Sequence, residues 1–494
     1  MTQQLRVQPG TDMMRCLLVG AGSAGSAMAR ELRRVPDFGL LPIGFLDDNP
    51  AKRRVQNLPV LGPIAALTWV AAAHAVDVVI IAIPSLAPAG VRRIAEAACA
   101  AGVVVRYLPS FLAALEYDAR VSDLRHVHIH ELLGRREMHV VRHATRRVVE
   151  GQRVLVTGAG GSIGSELCRQ IRGFDPASLF SLDHDETNLH TLQLKLEGQA
   201  LLDDDRLIIA DIRDAGRIRQ VFRQLRPQVV FHAAAHKHLP LLEMHPSEGV
   251  KSNVLGTRHV VDAAVETGVD RFILISTDKA ADPTSVLGAS KRVAELVLQS
   301  HAGGRTRFAS VRFGNVLGSR GSFLATLAGQ IENREPITIT HPDVTRFFMT
   351  VEEAVGLVLE AAGMAEAGEV FVLDMGEPVR ILDLVHNYAA QVHLTAADLD
   401  IRFTGLRPGE KLSEALFSAA ELRTATGHPK IWAAHAEALP ADFERLLDAL
   451  ACAAIENEDA REVCARMACL LPGYAPSRVE APASALAASY PDGL

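Results

Sequence analysis

Tyrosine is scarce in this 494-residue chain: there are five, and none lies between Tyr117 and Tyr388. Any acid–base chemistry in that central stretch therefore runs without a phenol. The six cysteines (Cys16, Cys99, Cys168, Cys452, Cys464, Cys469) show neither C-x-x-C spacing nor a histidine pattern typical of zinc, so no metal is expected. They read as free thiols of a reducing compartment, and a cytoplasmic location follows as the expectation, with association at the inner membrane face as a variant of it. No basic block or long acidic tail is present and the net charge is −7, which argues against nucleic acid as the main partner. The longest apolar stretch, 67–84, is interrupted by His74 and Asp77 and reads as a helix followed by a strand, so no membrane span is expected. Residues 1–14 have neither the apolar core nor the cleavage site of a secretory signal.

What is present is the composition of a folded protein, 48% hydrophobic and 22% charged, in a chain long enough for two or three cores. Lysine makes up only eight of the 51 basic residues, yet Lys237, Lys279, Lys291 and Lys411 fall in the motif segments below, and Lys251 lies two residues before Asn253. Lysine, unlike arginine, can give up its proton, so its retention points to positions needing a compact or titratable amine.

Two segments open alike. A strand at 16–19 runs into Gly20, Gly22 and Gly25 and a helix to about 34; later strands are expected at 42–46, 76–83 and 103–107. The second opening is a strand at 153–157, then Gly158-Ala-Gly-Gly161-Ser162-Ile163-Gly164 and a helix to about 171. Strands follow at 179–182, 207–210, 229–232, 271–276 and 308–311. Alternating strands and helices predict an α/β fold with two Rossmann-type, doubly wound parallel-sheet domains in tandem. The expected division is an N-terminal extension (1–14), a first Rossmann-like, CoA-binding-like domain (15–123), a linker (124–150), an NAD-binding domain with a C-terminal substrate-binding part (151–475) and a tail (476–494).

A glycine-rich turn between strand and helix lets backbone approach a pyrophosphate, and an acid ending the next strand can hold a ribose 2′-hydroxyl. The second fingerprint has both, with Asp183 nineteen residues beyond Gly164. NAD is expected on Gly158, Gly161, Ser162, Ile163, Gly164 and Asp183, with Asp211 and Ile212 lining the adenine pocket and Ala233 and Ala234 beside them. The first fingerprint, with Asp47, lacks any catalytic constellation downstream. It either binds a nucleotide or coenzyme or is a vestigial or regulatory fold.

After the strand at 271–276 come Thr277-Asp278-Lys279, Pro283 and Leu287-Gly-Ala-Ser-Lys291. Here the chain resembles the extended short-chain dehydrogenase/reductase superfamily, whose members place a Tyr-x-x-x-Lys on the next helix. Spacing i, i+4 puts both on one face. Lys291 matches the lysine, implying a hold on the nicotinamide ribose, but Leu287 stands where the tyrosine would. Further strings are His232-Ala-Ala-Ala-His-Lys-His238, Val311-Arg-Phe-Gly-Asn315-Val-Leu-Gly-Ser-Arg320-Gly321, His341-Pro-Asp-Val-Thr-Arg346 and Thr404-Gly-Leu-Arg-Pro-Gly-Glu-Lys-Leu412. With these the chain resembles the polysaccharide-biosynthesis (CapD-like) nucleotide-sugar 4,6-dehydratases over nearly its whole length; that family tends to carry Met at the Leu287 position.

The resemblance implies oxidation of a sugar at C4 with NAD, loss of water across C5 and C6, and hydride return to C6. It makes Lys279 the base at C5, Asp278 the acid at C6 and Thr277 the helper at the C4 hydroxyl. Such a base must be neutral and such an acid protonated, so each depends on its surroundings. Adjacent strand residues point to opposite faces, so Asp278 and Lys279 serve one sugar only if the strand has ended before them. A UDP-sugar substrate implies phosphate and ribose ligands: Arg346, Arg407 and Lys411 for the anion, Glu410 for ribose hydroxyls, and Arg320 and Asn315 in the same substrate-binding part. Lys237, His238 and Asn253 are expected near the cofactor–substrate junction. His236 and His238 have no carboxylate partner evident and are not expected to bind metal. A homo-oligomer is expected. Many relatives carry transmembrane helices ahead of the first Rossmann-like domain; this chain is expected either to be naturally without them or to lack that part. The alternative readings are a nucleotide-sugar epimerase, including a C5-inverting dehydratase/epimerase, or a catalytically silent sugar-nucleotide sensor.

Overall fold

The computed structural model describes residues 13–34, 40–83, 103–107, 125–126, 143–317, 323–391, 398–435, 438–457 and 459–475, with scattered positions between 86 and 101 and Ser319. The chain divides between Val141 and Arg142 into two compact units, each built on its own sheet.

In the first unit, Met14–Val19 (β1) leads into Ser23–Arg34 (α1), followed by Leu40–Leu46 (β2), Leu67–Ala73 (α2), Val78–Ile81 (β3) and Val104–Tyr107 (β4). β1 pairs in parallel with β2 and β3, and β4 lies beyond β3. The apolar run of β1 is buried on both faces because a helix covers each. Cys16 and Leu18 pack with Met28 and Leu32 of α1, whereas Leu17 and Val19 pack with Leu67 and Val70 of α2. Asp47, just past β2, closes on its own glycine turn: its Oδ2 accepts from the Ala21 N–H at 2.7 Å and from Lys52 Nζ at 3.1 Å.

The second unit is ordered by Arg153–Thr157 (β5), Ser162–Arg172 (α3), Ser178–Asp183 (β6), Glu186–Glu197 (α4), Leu207–Ile209 (β7), Ala215–Leu225 (α5) and Val229–His232 (β8). Gly256–Thr267 (α6), Arg271–Ile275 (β9), Val286–Ser300 (α7), Arg307–Arg312 (β10), Val351–Met364 (α8) and Glu369–Leu373 (β11) follow. Leu422–Ala425 (β12) and Ile431–His435 (β13) complete the sheet. Its order is β7-β6-β5-β8-β9-β10-β11-β13-β12, with the last two strands antiparallel. The first six positions are the Rossmann order, with the topological switch between β5 and β8, where such sheets open a crevice at the strands' carboxyl ends.

The strand pattern read from sequence holds, with shifts of one or two residues at most boundaries. β11, β12 and β13 did not stand out in the sequence. β12 is an exposed edge strand without alternation, held partly by Arg423, whose guanidinium carbon lies 3.5 Å from the Trp432 ring centroid. Residues 143–149, within the stretch expected to connect the domains, form a helix of the second unit that packs on α8. The helical stretch expected near 442–471 is two helices, Phe443–Cys452 and Ala460–Leu470, joined by a π-turn over Ala453–Asn457. Their apolar faces join α5, α6 and α7 in the main core. Among the described residues no helix is long and apolar enough to cross a membrane.

Candidate functional site

The glycine turn after β5 is shaped by close backbone approach. Gly158 sits at φ +65°, and a Cβ there would lie 2.7 Å from backbone atoms of Ala234. A Cβ on Gly164 would meet the Gly158 carbonyl oxygen at 2.0 Å. No side chain fits at either position, which leaves the N-terminus of α3 bare for a phosphate. Asp183 ends β6 as expected; it is nearly buried, and its Oδ2 accepts from the Gly160 N–H at 2.9 Å. A crevice of about 210 Å³ is lined by Gly158, Gly161, Asp183, Asp211, Ile212, Ala233 and Ala234. The structure thus assembles most of the expected cofactor residues at one place. Burial works against ionisation of Asp211, but the Arg213 guanidinium at 2.9 Å prevails and holds its carboxyl below the usual range.

A second cleft of about 650 Å³ shares Gly158, Gly161, Ala233 and His236 with the first, so the two run together. It is lined by Ser162, Ile163, Gly164, Lys237, His238, Thr277, Lys279, Leu287, Lys291 and Asn315. Beneath it lies His232, with Nδ1 2.7 Å from Thr157 Oγ1 and Nε2 3.0 Å from Thr257 Oγ1. The Thr257 hydroxyl donates to the Asn253 carbonyl at 2.7 Å, so it must accept from His232 Nε2–H, and Nδ1 accepts from Thr157. Burial, with Lys291 adding to it, pushes the imidazole down to about 3, which keeps this relay neutral.

β9 stops at Ile275, and Asp278–Ala280 form a 3₁₀ turn capped by Thr277. The strand has therefore ended where both residues are needed, as the alternation rule requires. Thr277 Oγ1 donates to Asp278 Oδ1 at 2.9 Å, and Lys279 Nζ donates to the same oxygen at 3.0 Å. Thr277 and Lys279 face the cleft, whereas the Asp278 side chain is wholly buried behind them, its Oδ2 without a hydrogen-bond partner among the described residues. The acid thus lies beneath the cleft wall, not on it. The reason is the turn itself, which carries the Asp278 backbone N–H to the Phe313 carbonyl at 3.0 Å and the carboxyl against Gly314.

Ser285 caps α7 through the Gly288 N–H at 3.1 Å, and the helix presents Leu287 and Lys291 one turn apart to the cleft. Burial pushes the Lys291 amine down to about 8, against the opposing pull of Glu295. Glu295 anchors a buried charge cluster behind the site. It accepts from Ser276 Oγ at 2.6 Å, from Arg312 through two bonds of 2.7 Å, and from Arg292 at 2.9 Å; Arg312 also donates to Glu421 at 2.8 Å.

Several expected substrate residues sit elsewhere. Asn253 is fully buried in a π-helical turn, where its amide bonds the His236 backbone twice and Ser290 Oγ. It holds the junction loop from below instead of lining the cleft. Arg346 and Glu410, expected on phosphate and ribose, are paired with each other at 3.0 Å, and Arg346 also donates to the Thr345 and Leu412 carbonyls. Lys411 donates to the Asp282 carbonyl, and Arg407 is exposed. None of these four lines the cleft, although Arg346 and Lys411 both act electrostatically on Glu414 beside it. Arg320 lies outside the described residues. Sequence reasoning missed Glu414, whose Oε1 is 3.8 Å from Lys279 Nζ, and the Glu295 cluster. The available signals were that Glu414 follows the string ending at Leu412 by two residues and that Glu295 shares the helix face of Lys291. Among the described residues no group of histidine, cysteine and carboxylate side chains could hold a metal ion.

A family model described as polysaccharide biosynthesis protein matches residues 154–436, and a CoA-binding domain model matches residues 2–109. The chain is 40% identical over 424 residues to the probable polysaccharide biosynthesis protein EpsC of Bacillus subtilis, covering 84% of this chain and 70% of EpsC. It is 33% identical over 277 residues to a UDP-N-acetylglucosamine 4,6-dehydratase (inverting) of Campylobacter jejuni, covering 54% of this chain and 78% of that protein. A UDP-glucose 4-epimerase of Rickettsia rickettsii is 32% identical over 282 residues, covering 55% and 79%. Among solved structures, Pen from Bacillus thuringiensis superposes with a TM-score of 0.53 at 32% identity, covering 58% of this chain and 90% of that one.

Proposed function

The chain belongs to the polysaccharide biosynthesis protein family, and from that premise we propose that it is an NAD-dependent 4,6-dehydratase of a UDP-N-acetylhexosamine, with UDP-GlcNAc the first substrate to test. The observation that carries the reading is the hydrogen-bonded Thr277–Asp278–Lys279 group at the carboxyl end of β9, whose Thr277 and Lys279 face a cleft lined by Leu287 and whose Asp278 lies directly behind them.

The bare glycine turn, Asp183 and the Asp211–Ile212 pocket fit a dinucleotide, and Lys291, which lines the adjoining cleft, is the residue that would hold the nicotinamide ribose. Bound NAD would take the C4 hydride and give it back at C6. With leucine at 287, the C4 hydroxyl proton needs another route. Thr277 accepts it while passing its own proton to Asp278 Oδ1, 2.9 Å away. Lys279 then removes the C5 proton, made acidic by the adjacent ketone. Asp278 supplies the proton that leaves with the C6 oxygen as water. O4 and O6 share one edge of a hexose, so the Thr277 hydroxyl can serve both and the buried carboxyl needs no direct contact. Lys279 finally returns its proton to C5, and the proton taken from O4 ends in the released water.

The test is incubation of the full chain with UDP-GlcNAc, with the product read by mass and NMR. Loss of one water with a 4-keto product supports the dehydratase. An isomer of unchanged mass supports the epimerase alternative, for which the Rickettsia relative speaks. Tight binding without turnover supports a sensor.

A further inference from the structure

Lys279 lies between two carboxyl groups, not one. Its Nζ is 3.0 Å from Asp278 Oδ1 and 3.8 Å from Glu414 Oε1. Glu414 arrives from a segment more than a hundred residues away in sequence, its side chain is 3% exposed, and its Oε2 is buried without a hydrogen-bond partner among the described residues. A buried carboxylate left this short of donors is costly, and protonation removes the cost. The groups acting on it are Lys279, Asp278, Arg346 and Lys411; Arg346 is already engaged with Glu410, and Lys411 with the Asp282 carbonyl.

We propose that Glu414 is the proton partner of Lys279: in the working enzyme its carboxyl carries the proton that Lys279 must give up before it can act as a base. The inference rests on the dehydratase reading of Lys279. One proton moves from Nζ to the Glu414 carboxyl; an ammonium–carboxylate pair becomes an amine and a carboxylic acid, and the pair's net charge stays zero. Asp278 then remains free to take up the C4 hydroxyl proton through Thr277, and Glu414 keeps its own proton throughout turnover. Burial pushes the Glu414 carboxyl above its ordinary range, with Asp278 adding to that effect and Lys279 opposing it. That is the direction the transfer needs. Glu414 does not touch the substrate; it is a positioning residue for a proton.

The test is the pH profile of Glu414→Gln, which keeps the size of the side chain but cannot accept the proton. Lys279 can then become neutral only by losing its proton to bulk water. The turnover number at pH 7 should fall by about 100-fold, within the usual span of acid–base catalysis. It should recover most of that loss as pH rises into the alkaline range, with KM little changed. Glu414→Asp, which keeps an ionisable carboxyl, should retain the neutral optimum, and it carries the test if the glutamine variant fails to fold. A glutamine variant with the wild-type profile, or one depressed equally at every pH while folded and loaded with NAD, overturns the proposal; so does an alkaline optimum in Glu414→Asp. An active Lys279→Ala enzyme, by contrast, would remove the base assignment beneath it.

Discussion

Glu295 and Arg312 face each other through two parallel hydrogen bonds of 2.7 Å, with side-chain exposures of 1% and 0%. Burial alone would raise the Glu295 carboxyl, but Arg312, Arg292 and Ser276 reverse that and hold it at about 2. Its folded value lies below the unfolded one, near 4.5. The stabilisation is therefore present above about pH 4.5 and lost as pH falls toward 2. Glu295→Gln should cost about 3–5 kcal/mol at neutral pH, the usual result of breaking one side of a buried pair. Its melting temperature should fall less steeply than wild type between pH 4.5 and 2. Parallel acid limbs in the two proteins would show that the pair is not what acid disrupts.

Lys279→Ala should lower dehydration by at least about 100-fold while leaving NAD bound. The readout pairs product formation with the NAD released on denaturation. Wild-type-like turnover would remove lysine from the C5 position.

Thr277→Val should depress turnover by a comparable factor, because it breaks the hydrogen bond that, together with that of Lys279, links the cleft to Asp278. Thr277→Ser, which keeps the hydroxyl, should retain most activity. Equal loss in both variants would mean that the methyl group, not the hydroxyl, matters.

Leu287→Met, close in volume, should stay within about 1.5 kcal/mol of wild type in stability and within a few-fold in rate. Leu287→Tyr should not accelerate the reaction if Thr277 already carries the C4 proton. A large gain would revive the phenol route.

Gly158→Ala should purify with less NAD than wild type, measured as nucleotide per chain. Its φ of +65° and the 2.7 Å approach of Ala234 leave no room for the methyl. Full occupancy would show that the turn relaxes.

The parts of this molecule fixed by local chemistry were legible in the sequence. The glycine spacing after β5, the acid ending β6 and the Thr-Asp-Lys run after β9 each depend on a few neighbouring residues, and each lies at the expected turn or strand end, although the Asp278 carboxyl is buried behind the cleft wall. What sequence could not give were partners brought together by the fold. Arg312 and Glu421 are 109 residues apart, and Arg346 and Glu410 are 64 apart. An arginine within a motif says that an anion is near, but not whether that anion is a ligand or a glutamate of the same chain. Asn253, at the junction as expected but bonded to the His236 backbone, shows a related limit: a buried amide satisfying a loop's backbone and one facing a ligand look the same in one dimension.

Glu421 immediately precedes β12, which pairs with β13 at the sheet edge. The segment carrying Arg407, Glu410, Lys411 and Glu414 is thus stitched back to the main sheet at its own downstream end, through Arg312 on β10. Grafting that segment from a relative would keep this tie only if the donor's glutamate met Arg312 and also Arg292, whose Nη1 lies 3.7 Å from Glu421. A chimera broken there would leave Arg312 Nη1 without its acceptor in the interior, with Glu295 still holding the rest of the guanidinium, and would lose stability before any change of selectivity could be read.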